Sequence, residues 1–489
     1  MSEPVNPKHQ EEFTNILRQR IERFKFLVQH AKLDSKEYQS EGVEWCLTSE
    51  LRPTPLQKIR GGIIADEMGL GKTIMMIGTM FCNIVDRTLI VVPPILIEQW
   101  RKEIYRITGH QALVYYGKQK KETTIELLQK ARIVITSYNT IAISKKKMEL
   151  GTIHKVWWNR VLYDEAHHLR NRKTIRFLGC KNIRANIRWF ITGTPVQNHT
   201  NDLYSLYNAL GFATSYYTQQ QQSVQIHQMY VLRRTKKKVG LMLEDIVNET
   251  CVVPWANNME KALSEEIHSL LKICNSNNNN NKNKKSDFAA VLDAERGNSI
   301  LVPMLRAKQS CIMSSLMKDK INALIKRGTL DQSYSKTMQY QSKLEAVVSK
   351  IVERKDNQRG KIVFCHYIGE IDYIATHAKE HNLSVMVYKG KSNKKKLLEK
   401  VDVLILQIQS GCEGLNLQEH YSEVYFVSPH WNPSIEDQAI ARCHRIGQQN
   451  NVKVFRFIMD TFKEDAKTIE HYVQMVQNKK RIMIQELNF

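Results

Sequence analysis

Short apolar runs alternate with longer amphipathic stretches along two parts of the chain. In the first part, from about residue 36 to 210, four runs each lead into a polar loop: RTLIVVPPIL (87–96), ARIVITSY (131–138), NRVLYDEAHH (159–168) and IRWFITGTP (187–195). Strands that alternate with helices are typical of a parallel sheet. The pattern therefore predicts an α/β domain in this part of the chain.

A second series of the same kind begins near residue 341. Its apolar runs are KIVFCHY (361–367), LSVMVYKG (383–390), VDVLILQ (401–407), SEVYFVSP (422–429) and NVKVFRF (451–457). The same alternation predicts a second parallel sheet flanked by helices. The expected fold class is α/β, with two sheet-containing units in tandem.

The sequence between and beyond these series has a different pattern. NSNNNNNKNKK (275–285) offers too little apolar surface to offset the entropy of ordering it, which predicts a disordered loop. Residues 286–340 are mostly helix-prone. Near the C-terminus a helical spacing of apolar residues predicts packing against a domain. These residues are Ile469, Tyr472, Val473 and Val476.

Five segments follow from these patterns and from the resemblance described below. They are an N-terminal helical extension (1–35), a first lobe (36–240), helical protrusions with the Asn/Lys-rich loop (241–340), a second lobe (341–465) and a C-terminal helix (466–489).

The chain is strongly basic. Its 489 residues include 72 Lys and Arg against 49 Asp and Glu, which gives a formal net charge of +23. Such an excess is typical of proteins that bind nucleic acid, because phosphate neutralisation dominates that affinity. Charge alone leaves open a basic protein without such a partner.

Other classes of protein receive no support from the sequence. No apolar stretch is long enough for a membrane span, and the N-terminus lacks the apolar core of a secretory signal. The nine scattered cysteines include no C-x-x-C pair. We therefore expect no structural zinc site, no disulfide framework and an intracellular location.

Residues 65–73 read ADEMGLGKT and end as a phosphate-binding loop ends. The preceding GGII predicts a short strand, and the following IMMIGTMF predicts a helix. In this context the loop and the helix start would cradle phosphates, Lys72 would meet the β- and γ-phosphates, and the Thr73 hydroxyl would hold Mg²⁺. The pattern G-x-x-x-x-G-K-[ST] expects glycine at the opening position, which is occupied by Asp66.

A second candidate part of the same site follows the run VLY. Asp164 at a strand end can hold Mg²⁺, and the adjacent Glu165 can polarise an attacking water. A solvated acidic turn is the alternative. The neighbouring His167 and His168 lack the H-E-x-x-H pattern, so zinc ligation by them is not expected.

Two arginines in EDQAIARCHRIGQ (436–448) are candidates for phosphate-charge stabilisation. On a helix, their spacing would place Arg442 and Arg445 on one face. An arginine from another domain can stabilise the charge that develops during phosphoryl transfer. Their spacing alone favours an ordinary basic helix surface, so both interpretations stand at this point.

Five motifs in order resemble the Swi/Snf-type ATPases of helicase superfamily two: DEMGLGKT, DEAH, ITGTPVQN (191–198), WNPSIEDQA (431–439) and RCHRIGQ (442–448). The resemblance covers most of residues 33–485. In that family the phosphate loop ordinarily opens with aspartate, so Asp66 fits it. The resemblance implies two RecA-like lobes, ATP and Mg²⁺ as cofactors, and a C-terminal helix that braces one lobe against the other.

The resemblance also implies roles for individual residues. The catalytic residues would be Lys72, Glu165 and two arginine fingers, Arg442 and Arg445. Mg²⁺ would be held by Thr73 and Asp164. The nucleotide contacts would be Gln39 at the adenine, Gln438 on the γ-phosphate side, and Asp66, Glu67, Met68, Gly69, Leu70, Gly71, Lys72 and Thr73. Coupling of hydrolysis to lobe movement would involve His167, Thr192 and Thr194, and nucleic-acid contacts would come from Pro93, Gln99, Thr136, Ser137, Tyr138, Lys389 and Trp431.

The second lobe departs from the family pattern in three places. The segment after Lys389 is short and lacks the usual arginine, QIQSGCEGLNL (407–417) lacks the usual serine or threonine and the paired glycines, and Ser428 and His430 stand where an acidic residue or tryptophan is commoner. These changes would lie on the DNA-facing and coupling surface. They bear on the efficiency and substrate preference of coupling rather than on ATP hydrolysis.

Three functions are compatible with these motifs. The first is an ATP-driven translocase on double-stranded DNA that remodels protein–DNA complexes or unusual DNA structures. The second is an RNA or DNA helicase that separates strands, although TGTPVQN and HRIGQ differ from the corresponding motifs of RNA helicases. The third is a non-hydrolysing nucleic-acid-binding scaffold, against which the intact phosphate loop and DEAH segment argue.

Three basic runs are candidate nucleic-acid contacts or solvated loops: SKKKM (144–148), RRTKKK (233–238) and KGKSNKKK (389–396). Backbone contacts of this type carry no base information. The compact motor with its Asn/Lys-rich loop would suit an A+T-rich genome, such as that of a large DNA virus or a reduced eukaryotic parasite. We expect a monomer with a transcription or replication protein as partner, located in the nucleus or in a viral factory or virion.

Overall fold

The chain forms two compact units, one ending at Met242 and the other beginning at Leu243. The computed structural model describes residues 7–52, 56–143, 149–197, 199–271, 300–388, 399–408, 415–463 and 466–486. Each unit is built on a parallel β-sheet. This confirms the predicted α/β fold class with two parallel-sheet lobes.

The sheet of the first unit has seven strands. They are β1 (Arg60–Ile64), β2 (Thr88–Val92), β3 (Leu113–Val114), β4 (Ile133–Ser137), β5 (Trp157–Asp164), β6 (Arg184–Ile191) and β7 (Val231–Leu232). Their order is β3-β4-β2-β5-β6-β1-β7, and all neighbouring pairs are parallel. The interior strand β2 reads TLIVV and is buried throughout, as expected for a parallel strand covered on both faces.

Helices surround this sheet. They are α1 (Pro7–His30), α2 (Glu37–Leu51), α3 (Lys72–Cys82), α4 (Ile97–Thr108), α5 (Gln119–Glu122), α6 (Ile125–Lys130), α7 (Tyr138–Ile141), α8 (Thr152–Lys155), α9 (Ile175–Asn182), α10 (Asn201–Leu210), α11 (Thr214–Tyr217) and α12 (Gln220–Tyr230), with 3₁₀ turns at Leu56–Lys58, Pro94–Leu96 and Ala166–Leu169. One core joins the apolar stripes of α1 to α4 to the sheet. In α4 this stripe consists of Ile97, Trp100, Ile104 and Ile107, which recur at helical spacing.

The sheet of the second unit has six strands. They are β8 (Val247–Val253), β9 (Gly360–Cys365), β10 (Val385–Tyr388), β11 (Val403–Gln407), β12 (Tyr421–Phe426) and β13 (Lys453–Met459). The order is β10-β11-β9-β12-β13-β8, again with parallel neighbours. Each of the nine apolar runs predicted as strands overlaps one. β3, β7 and β8 were not predicted, because β3 and β7 have only two residues each and the edge strand β8 is mostly exposed, with Val253 as its one buried residue.

Most helices of the second unit share one core with its sheet. They are α13 (Asn258–Ser269), α14 (Leu301–Ile312), α15 (Lys318–Lys326), α16 (Ser342–Glu353), α17 (Ile368–Glu380), α18 (Pro433–Ile440) and α19 (Ile469–Glu486), with 3₁₀ turns at Ser314–Met317, Gln332–Gln339 and Lys355–Asn357. Leu263, Cys311 and Ile321 lie in the same buried cluster as β9 and β11. The helix-prone region before residue 341 therefore packs onto the second sheet.

The C-terminal stripe is confirmed as a packing face. Ile469 and Val473 are buried, and Tyr472 lies against the core of the second unit. The role of α19 as a brace between lobes stays a prediction. The Asn/Lys-rich segment predicted to be disordered lies outside the described residues. Among the helices that the structure describes, none has the length and apolar content needed to cross a membrane.

Candidate nucleotide site

The phosphate-loop sequence lies between β1 and α3, as its strand–loop–helix context predicts. β1 ends at Ile64 and α3 begins at Lys72. Gly69 and Gly71 have φ angles of 95° and 79°, which glycine adopts without the steric cost of a Cβ. Gly71 turns the chain into the helix N-terminus, where unpaired N–H groups favour a bound phosphate.

The ammonium group of Lys72 rests against the loop itself. Its Nζ donates to the backbone oxygens of Asp66 at 2.7 Å and Glu67 at 3.2 Å. Burial lowers the pKa of Lys72, while the carboxylates of Glu165, Asp66 and Asp164 act in the opposite direction. An incoming phosphate would compete with these two carbonyls for the amine.

The remaining loop residues differ in what their side chains contact. The side chain of Asp66 is fully buried and paired with Arg234, so any contact with a nucleotide would come from its backbone. Glu67 accepts from the backbone of Lys236 at 2.8 Å. Gln39, predicted at the adenine, is buried and donates to the backbone oxygen of Leu70 at 3.3 Å. Thr73 lies in the first turn of α3, half-buried.

Asp164 ends β5, where its side chain is held by two donors. Trp100 Nε1 donates to Oδ2 at 2.7 Å, and the backbone N–H of Glu165 donates to Oδ1 at 2.9 Å. Burial and then the neighbouring Glu165 carboxylate raise the pKa of Asp164 to about 7. A carboxylate whose charge is disfavoured in this way gains from a nearby cation.

The oxygens of Thr73 and Asp164 are of the type that Mg²⁺ prefers. Burial raises the pKa of Asp164, so a nearby cation would stabilise its ionised form. Within the described part of the chain, no group of three or more His, Cys, Asp or Glu could hold a metal ion by itself. The residues therefore fit an ion that nucleotide phosphates and waters also coordinate, which is the usual arrangement for Mg²⁺.

Replacing Trp100 by phenylalanine should raise the Mg²⁺ concentration at the midpoint of nucleotide binding about tenfold. The reason is that the indole N–H, which orients the carboxylate of Asp164, is lost. The measurement is the affinity for a fluorescent ADP analogue as Mg²⁺ is titrated. Trp157→Phe is the matched control, since Trp157 is exposed and begins β5, the strand that Asp164 ends. An unchanged Mg²⁺ midpoint in Trp100→Phe would show that the indole does not orient Asp164.

Glu165 occupies a special backbone position. Its φ is 52°, in the left-handed region, where a residue with a Cβ is uncommon. Its Oε2 lies 3.2 Å from Nδ1 of His167, and the rings of His167 and His168 are 4.6 Å apart. The DEAH segment is therefore a compact turn in which the carboxylate and the first imidazole are in contact.

The TGTP segment lies against the phosphate loop. The backbone N–H of Thr192 donates to the oxygen of Ile64 at 2.9 Å, which joins the ends of β6 and β1. A Cβ added to Gly193 would lie 2.7 Å from Met68 and 3.6 Å from Lys72 Nζ, so only glycine allows this approach. The phosphate loop, the DEAH segment and the TGTP segment thus follow β1, β5 and β6, which are adjacent strands.

Side chains that sequence reasoning missed connect these segments. Arg170, just after the DEAH turn, donates to Oε1 of Gln197, and Gln197 Nε2 donates to Thr194 Oγ1 at 3.1 Å. Thr194 N–H donates to Thr192 Oγ1 at 3.1 Å. Gln197 belongs to the quoted ITGTPVQN motif, but nothing in the sequence pairs it with Arg170. This chain of bonds is a physical route between the two segments predicted to couple hydrolysis to movement.

The predicted nucleic-acid contacts of the first unit are largely internal. Thr136 and Ser137 are buried, and Thr136 Oγ1 donates to the oxygen of Tyr115 at 2.8 Å. The hydroxyl of buried Tyr138 donates to the backbone oxygen of Asp164 at 2.7 Å. These side chains shape the loop after β4 rather than expose a contact.

Pro93 is also buried, whereas Gln99 is half-buried. Within the described part of the chain, Oε1 of Gln99 has no hydrogen-bond partner.

The predicted residues of the second unit lie around α18. Gln438 is buried in this helix. The helix ends at Ile440, so the prediction that Arg442 and Arg445 lie on one face of it is wrong: both follow it in a turn. Arg445 donates to Oδ1 of Asn416, and burial followed by repulsion from Arg442 lowers its pKa.

Trp431 packs edge to face on Tyr472, 6.2 Å away, so its ring faces α19. Lys389 lies outside the described residues, as do the whole basic run at 144–148 and the whole run at 389–396. In the run at 233–238, Arg233 and Arg234 are bonded within the first unit, and Lys237 and Lys238 are exposed.

Two family models and several known proteins are similar to this chain. A family model described as the SNF2-related domain matches residues 38–347, and one described as the helicase conserved C-terminal domain matches residues 342–447. A Mycoplasma pneumoniae protein named an uncharacterized ATP-dependent helicase is 28% identical over 95% of this chain and 44% of its own length. The chain thus spans less than half of that relative.

Two further similarities differ in extent. A protein named probable global transactivator, from Orgyia pseudotsugata multicapsid polyhedrosis virus, is 24% identical over 92% of this chain and 91% of its own length. The solved Sulfolobus solfataricus SWI2/SNF2 ATPase core in complex with dsDNA is 22% identical, with a TM-score of 0.39 and coverage of 93% of each chain. With a family model over most of its length, the chain belongs to the SNF2-related family.

Proposed function

We propose that this protein is an ATP-dependent translocase on double-stranded DNA, which hydrolyses ATP to ADP and phosphate to remodel protein–DNA complexes or DNA structures. The observation that carries the proposal is the convergence of three segments at the ends of adjacent parallel strands. Lys72, the Asp164–Glu165 pair and the Thr192–Gly193 turn follow β1, β5 and β6. Ligand sites of parallel α/β sheets form at the carboxyl ends of the strands.

The residues divide the work of hydrolysis. The loop N–H groups and Lys72 bind and orient the phosphates, and Thr73 and Asp164 would be the protein ligands for Mg²⁺. Mg²⁺, when bound, neutralises charge on the β- and γ-phosphates. Glu165 takes the proton of the attacking water and is held beside His167, 3.2 Å away. His167 and the Arg170–Gln197–Thr194 hydrogen bonds link the position of this carboxylate to that of the TGTP turn.

The second unit supplies positive charge in this proposal. Arg442 and Arg445 act as the arginine fingers that the family resemblance implies, and among the described residues Nε of Arg442 has no hydrogen-bond partner. The basic composition supports a polyanionic track. The name of the Orgyia pseudotsugata virus relative, probable global transactivator, supports a role in transcription, which we propose for this chain together with a location in the nucleus or in a viral factory.

The test is steady-state phosphate release by the purified chain, alone and with duplex DNA, single-stranded DNA or structured RNA at equal ionic strength. We expect the strongest stimulation from duplex DNA, with none in Glu165→Gln. Displacement of a third strand from a DNA triplex would then report translocation. Stimulation mainly by RNA would overturn the DNA assignment in favour of an RNA helicase, and ATP binding without hydrolysis under any condition would favour a scaffold.

A further inference from the structure

We propose that Asp66 and Arg234 act together as positioning residues for the phosphate loop, so that the aspartate at the opening position of the loop sets nucleotide affinity through the arginine near the end of the first unit. The inference rests on the proposed function, because it concerns the same nucleotide site. It explains why this loop opens with a charged residue instead of the glycine of the common phosphate-loop pattern.

The opening position does not need the conformational freedom of glycine. Among the described residues other than glycine, those with positive φ are Lys32, Lys58, Glu165, Gln358 and Asn382, and Asp66 is not one of them. The left-handed positions of this loop are Gly69 and Gly71. An aspartate therefore fits the backbone without strain, and its side chain is available for another task.

The Asp66 carboxylate forms a buried, bidentate ion pair with Arg234. Asp66 has no exposed surface. The backbone N–H and the Nε of Arg234 donate to Oδ1 of Asp66 at 2.9 and 3.3 Å, and Nη2 donates to Oδ2 at 2.6 Å. Bidentate bonds between arginine and carboxylate fix geometry as well as distance, and removing one partner leaves a buried charge uncompensated.

The segment that carries Arg234 runs beside the start of the loop. The N–H groups of Ala65 and Glu67 donate to the oxygens of Leu232 and Arg234 at 2.7 and 2.9 Å. Arg233 donates to the oxygen of Ala65 and, at 3.3 Å, to that of Gly193. Alternate residues of the loop are thus held by the chain shortly before it leaves the first unit at Met242.

Asp66 and Glu67, which the 232–236 segment bonds, are also the residues that contact Lys72. Its amine bonds the backbone oxygens of Asp66 and Glu67, whose N–H or side-chain groups are engaged by the 232–236 segment. The position of these two carbonyls determines where the amine rests and how far it must move to reach a phosphate. Without the bonds to Arg234, the two carbonyls would no longer hold the Lys72 amine in one resting position.

Arg234 also reaches the part of the site predicted to bind adenine. It donates to the backbone oxygen of Tyr38, and its guanidinium lies 5.9 Å from the centre of the Tyr38 ring. The next residue, Gln39, donates to the oxygen of Leu70 inside the loop. One arginine therefore fixes the start of the phosphate loop and the helix that carries Gln39.

The deciding variant is Asp66→Gly, which restores the glycine of the common pattern. We expect the KM for ATP, and the Kd for a fluorescent ADP analogue, to rise about tenfold, with kcat at saturating ATP within about twofold of wild type. Arg234→Lys keeps the positive charge but loses the bidentate bonds of the guanidinium, so we expect a smaller rise in the same KM and Kd. Asp86→Gly makes the same replacement at an exposed aspartate and should change neither constant.

If Asp66→Gly does not fold, Asp66→Asn keeps the shape and one acceptor and should still raise KM severalfold. A KM equal to or below that of wild type in whichever of these variants folds, with or without a lower kcat, would overturn the inference. The wild-type arm tests the proposed function separately. A wild-type chain that binds no nucleotide would overturn that function before any variant is compared.

Discussion

Replacing Glu165 by glutamine is expected to lower ATP hydrolysis about a thousandfold while nucleotide binding stays nearly unchanged. The substitution keeps the shape of the side chain but removes its ability to accept a proton. Glu165 directly follows Asp164, and its carboxylate contacts His167. The groups that hold phosphates, Lys72 and the loop, are untouched, so binding and hydrolysis should separate.

The measurement pairs phosphate release at saturating ATP and duplex DNA with the affinity for a fluorescent ATP analogue. Lys72→Ala should lose both quantities, because the amine that meets the phosphates is gone. Glu22→Gln is the matched control, since Glu22 is exposed and pairs only with Lys25 on α1 among the contacts described. If Glu165→Gln kept hydrolysis within tenfold of wild type, the base would be another residue.

The site motifs were predictable because their chemistry is local in sequence. A phosphate loop needs a strand, a glycine-rich turn and a helix start, and ADEMGLGKT with its flanks contains all three within one stretch. DEAH and TGTP likewise follow apolar runs that proved to be β5 and β6. The order of strands in the sheet then brings the three segments together.

The contacts that hold these motifs in place were not predictable. Asp66 pairs with Arg234 across 168 positions, and Trp100 bonds Asp164 across 64. Neither pair follows a periodicity of helix or strand, because each joins side chains that only the folded sheet brings together. The sequence marked Asp66 as unusual, but it could not indicate its partner.

Two local features escaped prediction because tertiary contacts determine them. The segment 247–253 is mostly exposed, and it forms a strand through seven registered pairs with β13. The sequence after Ile440 contains good helix formers, yet Cys443 is buried and the helix ends before it. Arg442 and Arg445 are placed by this turn, which their spacing did not indicate.

Replacing Glu50 by glutamine is expected to destabilise the first unit by about 3–5 kcal/mol, because Arg160 would be left as an uncompensated buried charge. Both side chains have almost no exposed surface. The Glu50 carboxylate accepts from Nε of Arg160 at 2.6 Å, Nδ2 of Asn83 at 2.6 Å and Nε1 of Trp189 at 2.8 Å. Glutamine would turn an NH₂ group towards at least one of these donors.

The effect should be read by urea denaturation of the full chain, followed by tryptophan fluorescence. Five of its seven tryptophans lie before Met242, so the signal reports mainly on the first unit. Glu22→Gln removes an exposed ion pair and should change stability by no more than about 0.5 kcal/mol. The double variant Glu50→Leu/Arg160→Met removes both charges and should recover much of the loss.

Glu50→Gln also allows the effect on stability to be separated from the effect on nucleotide binding. Asn83 follows the C-terminal end of α3, and its backbone oxygen accepts from Arg160 at 2.7 Å, so the ion pair holds the far end of the helix that begins with Lys72. At a urea concentration where the variant is still folded, a rise in nucleotide Kd would show that this anchor also positions Lys72. A stability loss below about 1 kcal/mol would mean that water or a rearranged partner satisfies Arg160, and that the pair does not hold the helix.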